Sequence, residues 1–168
     1  MTHQIKIAID LDGGDLGFEP VIAASMSFLS SHPDASLLCY GLSESIETIK
    51  KRYPNKIDDR IQLIECDEAV RMDDKPSDAL RRKKASTMAR GIDSIKEKKA
   101  HAFISSGNTG ALMLLSSVAL KLIEGIERPA IVTMLPGKKT PFLMLDLGAN
   151  TECTSENLVQ FAKMGNFL

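Results

Sequence analysis

The amino-acid sequence predicts an α/β fold, in which helices cover both faces of a mostly parallel sheet to give a three-layer α/β/α sandwich. Two observations support this class. Short β-branched and apolar runs alternate with longer segments of helical periodicity, and stretches rich in Gly, Asp and Pro separate them. Such alternation is typical of parallel sheets with helices packed on each side. From its length we expect a single α/β domain over residues 1–168.

The composition excludes several classes of protein. With 43% hydrophobic residues the chain can bury a core, so global disorder is excluded. A formal net charge of −1 offers no electrostatic basis for binding nucleic acid or an anionic membrane. Cys39, Cys66 and Cys153 are too far apart to suggest a metal-ligand pair or a disulfide framework. We therefore expect no metal site and a location in the reducing cytoplasm.

The first part of the chain predicts three buried strands and two helices. A β-branched, apolar run at residues 5–9 favours the first strand. Pro20 lies in the first turn of the helix that follows, where proline is tolerated. Gly41 ends the second strand, and Ser43 caps the second helix. The predicted strands are residues 5–9, 35–40 and 61–65, and the predicted helices are residues 19–30 and 43–52.

The second part predicts one long charged helical stretch between Pro76 and Lys99, with apolar residues at helical spacing that face the core. A short strand at residues 102–105 then leads into a helix over residues 111–122, capped by Asn108 or Thr109. That helix is too short and too mixed to cross a bilayer, so we expect it to be buried against the sheet. Two further strands, residues 130–135 and 142–146, and a last helix, residues 156–164, complete the prediction.

Three carboxylates and two glycines follow the first strand, in the segment Asp10-Leu11-Asp12-Gly13-Gly14-Asp15. Ligands of open α/β sheets bind at the carboxyl ends of strands, so this segment is a candidate site. Asp10, Asp12 and Asp15 could ligate Mg²⁺. The pattern also resembles the first motif of haloacid-dehalogenase-type phosphatases, in which the first Asp is the nucleophile. A turn that merely leads into a helix is the alternative interpretation.

A second candidate site is the turn from Ser106 to Gly110, which lies between a strand and a helix. The first turn of a helix has free N–H groups and the positive end of the dipole, and together these favour an anion such as phosphate. A tight strand-to-helix turn without a ligand is equally compatible with the sequence.

Two further polar clusters are ambiguous. Asp73, Asp74 and Lys75 form either a turn that caps the helix beginning at Pro76 or part of a site. The basic run from Arg81 to Lys84 is either a solvated helix face or a contact for an acidic partner. Lys138 and Lys139 are ambiguous in the same way.

Five blocks in this order resemble a known family: Gly13 to Asp15, Met72 to Ser77, Leu80 to Lys84, Ser106 to Met113, and Leu145 to Asn150. Together they resemble the PlsX-type acyl-ACP:phosphate acyltransferases of bacterial phospholipid synthesis. Each block is short, but their common order makes the resemblance specific, and it covers essentially the whole chain.

The resemblance implies transfer of a fatty acyl group from acyl carrier protein to inorganic phosphate, which yields acyl phosphate without a cofactor. It also implies a sandwich similar to isopropylmalate and isocitrate dehydrogenases, and a cytoplasmic homodimer. Family members are about twice as long as this chain, so the resemblance identifies it as an N-terminal half. The region that associates peripherally with membrane would lie in the other half.

The resemblance also implies roles for individual residues. Ser106, Gly107, Asn108, Thr109 and Gly110 would bind phosphate. Asn108, Lys75 and Asp15 would be catalytic, with Asp15 or Asp146 orienting the donors. Arg81, Arg82, Lys83 and Lys84 would contact the acidic carrier protein, and Arg82 or Lys83 could instead reach the phosphate. The remaining residues expected to line the cleft are Asp10, Gly13, Gly14, Asp73, Asp74, Lys138, Asp146, Gly148 and Asn150.

The chain departs from the family pattern Asp-x-Met-Gly-Gly-Asp-His-Gly-Pro at three positions, with Asp12 for Met, Leu16 for His and Phe18 for Pro. An acid beside a phosphate site repels the substrate unless it is paired or turned away. Loss of the imidazole removes a proton carrier. Two alternatives therefore stand beside the enzyme: a non-catalytic fragment that binds phosphate or acyl carrier protein, and a Mg²⁺-dependent phosphatase that uses Asp10.

Overall fold

A computed structural model describes residues 5–54 and 56–167 of the chain. The strands are β1 Ile5–Asp10, β2 Ala35–Leu42, β3 Ile61–Cys66, β4 Ala102–Ile104, β5 Val132–Leu135 and β6 Phe142–Leu145. The helices are α1 Phe18–Ser31, α2 Ser43–Arg52, α3 Pro76–Arg82, α4 Thr87–Lys96, α5 Thr109–Leu120 and α6 Ser155–Phe167. The chain divides into two compact units, Met1–Leu120 and Lys121–Leu168, which we describe separately. The single domain over residues 1–168 stays a prediction.

The first unit is built on a parallel sheet with strand order β3-β2-β1-β4. β1 is central, because Ile7 pairs with Leu37 of β2 on one side and with Ala102 of β4 on the other. Parallel neighbours need crossover connections, and the helices supply them. The α/β class with a mostly parallel sheet is confirmed.

Successive side chains of a strand point to opposite faces, which gives the sheet two cores. Ile9 of β1 and Leu37 of β2 pack with Ile22 of α1 and Ile49 of α2. On the other face, Ala8 of β1 and Tyr40 of β2 belong to a second cluster, against which Ile95 packs near the end of α4. Helices therefore cover both faces, as the three-layer prediction requires.

The charged stretch after Pro76 is two helices, so the prediction of one long helix is wrong. Lys83 ends α3 with a bond from its N–H to the Ala79 carbonyl, and Ser86 caps α4 by accepting from the N–H of Ala89. Residue 86 is also held by a parallel bridge to Glu68. This contact from a distant loop fixes an extended conformation that a continuous helix would not allow.

β4 and α5 are more exposed than expected. Ala111 and Leu115 are the buried residues of α5, whereas Val118 is 57% exposed. The prediction that α5 is buried against the sheet is thus wrong for much of its surface, because the helix packs on α3 and α4 rather than between two layers. No helix within the described residues is long and apolar enough to cross a membrane.

The second unit consists of an antiparallel hairpin and a helix. β5 pairs with β6, with Val132 opposite Leu145. α6 packs on β6, and Phe161 is its buried apolar residue. Thr154 caps this helix by accepting from the N–H of Asn157, and Oδ1 of Asn157 accepts in turn from the N–H of Thr154.

Candidate functional site

Three loops meet at the carboxyl edge of the parallel sheet, where they follow β1, β3 and β4. The loops after β1 and β3 border a space of about 790 Å³, which we call the strand-end cleft. This is the edge at which open α/β sheets bind ligands. Its lining residues are Asp12, Gly13, Gly14, Asp15, Leu42, Asp67, Glu68, Ala69, Arg71, Met72, Asp73 and Lys83.

Glycines allow the loops after β1 and β4 to touch. A Cβ at Gly13 would lie 2.2 Å from Oδ2 of Asp10, and one at Gly14 would lie 2.4 Å from Oγ of Ser106. A Cβ at Gly107 would lie 2.8 Å from the carbonyl oxygen of Gly13. A side chain at Gly107 would force the two loops apart, because the atom that it meets belongs to the backbone of Gly13. The structure therefore brings together two of the segments that the sequence singles out.

Asn108 fastens the loop after β3 to the start of α5. Its Nδ2 donates to the carbonyl oxygens of Arg71, Met72 and Asp74 at 3.2, 3.0 and 2.9 Å. Its Oδ1 accepts from the N–H of Ala111 at 3.0 Å, which confirms it as the N-cap of α5. The amide hydrogens are thus used within the protein, and Asn108 positions the loop rather than offering the predicted bond to phosphate.

The first N–H groups of α5 are free of helical partners. Those of Thr109 and Gly110 have no carbonyl four residues before them within the helix. Pro76 packs close to this turn, since a Cβ at Gly110 would lie 3.0 Å from its Cγ. Lys75 is exposed and directly precedes Pro76, so its backbone lies beside the helix terminus. Ser106 is also exposed, as a phosphate ligand must be.

Asp10 is enclosed, with 1% of its surface exposed. Its Oδ2 accepts from Oγ of Ser105 at 2.8 Å, and Ser105 in turn accepts from the N–H of Gly107 at 3.0 Å. Burial raises the pKa of Asp10, although the bond from Ser105 works against the shift. A nucleophile needs access to its substrate, which this carboxylate lacks. The geometry thus gives Asp10 a role in holding the turn before α5.

Asp12 is turned towards α2. Its Oδ2 accepts from the N–H of Leu42 at 2.7 Å, and its Oδ1 accepts from Oγ of Ser45 at 2.5 Å. The carboxylate therefore stabilises the start of α2, where negative charge is favourable. The acid that stands in place of the family's Met is thus hydrogen-bonded to the start of α2, although it also lines the strand-end cleft.

The other two departures from the family pattern lie nearby. Leu16 is 83% exposed, an unusual position for a large apolar side chain. Phe18 is the first residue of α1 and packs against the core that α1 and α2 form with the sheet. Asp15 is exposed and borders the strand-end cleft, so it is available to a ligand there.

One residue of the basic run turns into the cleft. Nζ of Lys83 donates to Oδ2 of Asp74 at 2.5 Å and to the carbonyl oxygen of Ala69 at 3.0 Å. The bond from Lys83 lowers the pKa of Asp74, and a bond from the N–H of Arg71 adds to this. The other residues of the run are exposed, namely Arg81, Arg82 and Lys84.

Asp146 organises a loop in the second unit. Its carboxylate accepts from the N–H groups of Ile131, Ala149 and Asn150 and from the Asn150 amide, at 2.8 to 3.3 Å. Burial opposes ionisation here, but these bonds outweigh it and lower the pKa of Asp146. Gly148 has a φ of 79°. Whether these residues and the exposed Lys138 line the cleft stays a prediction.

Sequence reasoning missed several residues of the cleft. Arg71, Asp67 and Glu68 line it, yet they belong to none of the motifs that the sequence analysis identifies. Their position directly after β3 is the signal that could have identified them, because the loop after a neighbouring parallel strand opens at the same edge. Arg71 and Lys83 are the cations among the lining residues.

Comparison with known proteins places the chain in a family context. The sequence model of a family described as "Fatty acid synthesis protein" matches residues 5–168. A phosphate acyltransferase of Polaromonas naphthalenivorans (strain CJ2) is 47% identical over 168 residues, which cover 98% of this chain and 45% of the relative. The phosphate acyltransferase of Stutzerimonas stutzeri (strain A1501) is 43% identical over 159 residues, or 95% and 45%. The chain thus spans about half the length of the curated relatives it matches, as the resemblance predicts.

Proposed function

Because the chain belongs to the fatty acid synthesis protein family, we propose that it takes part in transferring a fatty acyl group from acyl carrier protein to inorganic phosphate. The product would be acyl phosphate for phospholipid synthesis. The name phosphate acyltransferase, which its relatives carry, supports this reaction. A cytoplasmic homodimer is part of the proposal.

One observation carries the proposal: the N-terminus of α5 opens at the point where three loops converge. Free N–H groups and the helix dipole favour an anion there. Lys75 lies beside this terminus, while Arg71 and Lys83 line the neighbouring cleft. The free N–H groups and these cations favour phosphate, whereas the carboxylates that also line the cleft, such as Asp15 and Asp73, oppose an anion there.

The reaction needs positioning more than covalent chemistry. An oxygen of hydrogen phosphate attacks the thioester carbonyl carbon, and the oxygen of that carbonyl gains negative charge. As the carbonyl re-forms, the C–S bond breaks and its electron pair leaves with the sulfur. The carrier thiolate takes up the phosphate's proton, so acyl phosphate and the free thiol result. Holding the anion in line with the carbonyl is the main contribution available to the protein.

In this scheme the residues divide into ligands and supports. Ser106, Thr109 and Gly110 supply hydroxyl and backbone donors to phosphate, and Lys75 supplies charge. Asp15 is free to orient a donor or the carrier thiol. Asn108 acts as a positioning residue, because it ties the loop from Arg71 to Asp74 to the same helix terminus. The exposed residues Arg81, Arg82 and Lys84 offer a contact to the acidic carrier protein.

The test is to compare Asn108→Ala with Asn157→Ala for phosphate binding by calorimetry and for acyl phosphate formation from acyl carrier protein and phosphate. Both residues are buried asparagines whose Oδ1 accepts from a backbone N–H at the start of a helix, but Asn157 belongs to the second unit. Loss of alignment can cost about a hundredfold in rate. We expect Asn108→Ala to lower phosphate affinity and turnover by this order, and Asn157→Ala to spare phosphate affinity.

Three results would contradict the proposal. If Asn108→Ala and the parent chain bound phosphate with equal affinity, the N-terminus of α5 would not be the phosphate site. Binding of acyl carrier protein without turnover would favour the non-catalytic alternative. Mg²⁺-dependent phosphatase activity that disappears in Asp10→Asn would favour a phosphatase with Asp10 as its nucleophile. The burial of Asp10 opposes that interpretation.

A further inference from the structure

A groove lies on the α1 side of the sheet, between α1 and the strands β1 and β4, and we call it the α1 groove. It exists because α1 packs over β1 and β2 and leaves the last strand uncovered. Ile9 pairs with Ile104 in register, so both side chains point to this face. Ile9 is 8% exposed whereas Ile104 is 54% exposed, which marks the point where the cover ends.

The walls of the groove are apolar over most of its length. Its volume is about 600 Å³, within the range of about 300–1,000 Å³ typical of small-molecule sites. The residues that form the apolar part include Ile7, Ile9, Val21, Phe28, Leu37 and Ile104. Leu16, the most exposed of the large apolar residues on its rim, extends this surface. Such a lining favours a flexible hydrocarbon over a charged or sugar-like ligand.

One end of the groove is polar and adjoins the candidate phosphate site. Gly14 and Asp15 border both the strand-end cleft and the α1 groove. Ser106, in the turn before α5, lies at the same end. A molecule that fills the groove therefore places its end group beside the turn in which we place phosphate.

We propose that the α1 groove holds the hydrocarbon chain of the acyl donor, with the thioester carbonyl at the polar end near Ser106 and Gly14. This inference rests on the proposed function and adds the location of the acyl group to it. An acyl donor has an apolar chain and one reactive polar end, which is the pattern of this groove. The arrangement places the carbonyl beside the turn in which we place phosphate.

The test uses two neighbouring alanines of α1. Ala24 lines the groove, whereas Ala23 is also exposed but does not. Ala24→Phe should fill the groove, and Ala23→Phe adds the same side chain to the same helix outside it. The probe is the neutral thioester S-decanoyl-N-acetylcysteamine, compared with its S-butanoyl analogue, and the readouts are calorimetric affinity, phosphate affinity and oligomeric state.

We expect the parent chain to bind the decanoyl thioester at least about tenfold more tightly than the butanoyl one, since each buried methylene adds affinity. Ala24→Phe should abolish this preference and leave phosphate affinity unchanged, and Ala23→Phe should preserve both. The inference would be overturned if Ala24→Phe and Ala23→Phe bound the decanoyl thioester with equal affinity. It would also be overturned if the parent chain were a dimer that Ala24→Phe dissociates and Ala23→Phe does not, because the groove would then be a contact between two copies of the chain. If the parent chain preferred the decanoyl thioester but did not bind phosphate, the proposed function would be contradicted, and the groove would remain a binding site for a hydrocarbon chain.

Discussion

Two loops of the molecule begin with the same short pattern and treat its aspartate in opposite ways. Asp10 ends β1 and is followed by Leu11, and Asp146 directly follows β6 and precedes Leu147. A glycine comes soon after each. Asp10 is enclosed and its pKa is raised by burial, whereas hydrogen bonds lower the pKa of Asp146.

The difference lies in the donors that the surrounding chain supplies. Asp146 accepts from three backbone N–H groups and one side-chain amide. Asp10 accepts from the N–H of Asp12 and the hydroxyl of Ser105, and its burial is deeper. Both aspartates organise a loop, but only Asp146 has enough backbone donors to favour its charged form. Asp10 acts through the hydroxyl of Ser105, and its buried charge is costly.

The largest expected effect concerns the two glycines. Gly13→Ala should destabilise the first unit by about 3 kcal/mol, because the new Cβ meets the enclosed Asp10 carboxylate at 2.2 Å. Gly148→Ala should cost about 1 kcal/mol, because only its φ of 79° is unfavourable and no described atom lies within 4 Å of the new Cβ. Urea denaturation measures the loss in free energy of unfolding for each variant, and hydrogen exchange shows in which unit the loss occurs.

Asparagine sharpens this test, since it tolerates positive φ better than alanine does. Gly148→Asn should recover most of the stability lost in Gly148→Ala, while Gly13→Asn should be at least as unstable as Gly13→Ala. If asparagine rescued both positions, the two glycines would serve the same purpose and the comparison would fail.

A smaller effect separates the two carboxylates. Asp146→Asn should cost about 2 kcal/mol, because an NH₂ group would face two donors in place of an oxygen. Asp10→Asn should change stability by less than about 1 kcal/mol, because it removes a buried charge and can still bond to Ser105. Hydrogen exchange of the amides of Ile131 and Asn150 reports the first variant, and that of Gly107 reports the second. A larger cost for Asp10→Asn would invert the comparison.

The smallest effect is the response to pH, which has opposite signs in the two units. Asp146 has a lowered pKa, so its contribution to stability is present above the ordinary value of 3.8 and is lost as pH falls through the folded value. Asp10 has a raised pKa, so the first unit loses stability as pH rises from 3.8 through the folded value. Hydrogen exchange against pH measures both slopes, and each should flatten only in its own Asn variant.

Local pattern was enough to predict much of the first unit. The strands β1 to β3 follow from short apolar runs, and a cap at Asn108 or Thr109 follows from their place before an apolar helix, with Asn108 confirmed by the structure. The meeting of the loops after β1 and β4 follows from the rule that parallel strands end at one edge.

Contacts between distant residues account for what the sequence did not reveal. Asp12 caps a helix that begins about thirty residues later, at Leu42 and Ser45. The break between α3 and α4 depends on Glu68, and the amide of Asn108 is used by a loop 34 to 37 residues away. A pattern in one segment does not contain the partner supplied by another.

The short strand β4 also has a consequence for the order in which the chain assembles. β1 and β2 are close in sequence, but Asp10 and Ser105 meet across a separation of 95 residues. Closing a loop of this length costs chain entropy of about 4 kcal/mol, which only three paired residues of β4 and the packing around them offset. Contacts of such long range form late and open early. A ligand that touches both Gly14 and Ser106 would hold this joint closed, so occupancy of the α1 groove and completion of the sheet are thermodynamically coupled.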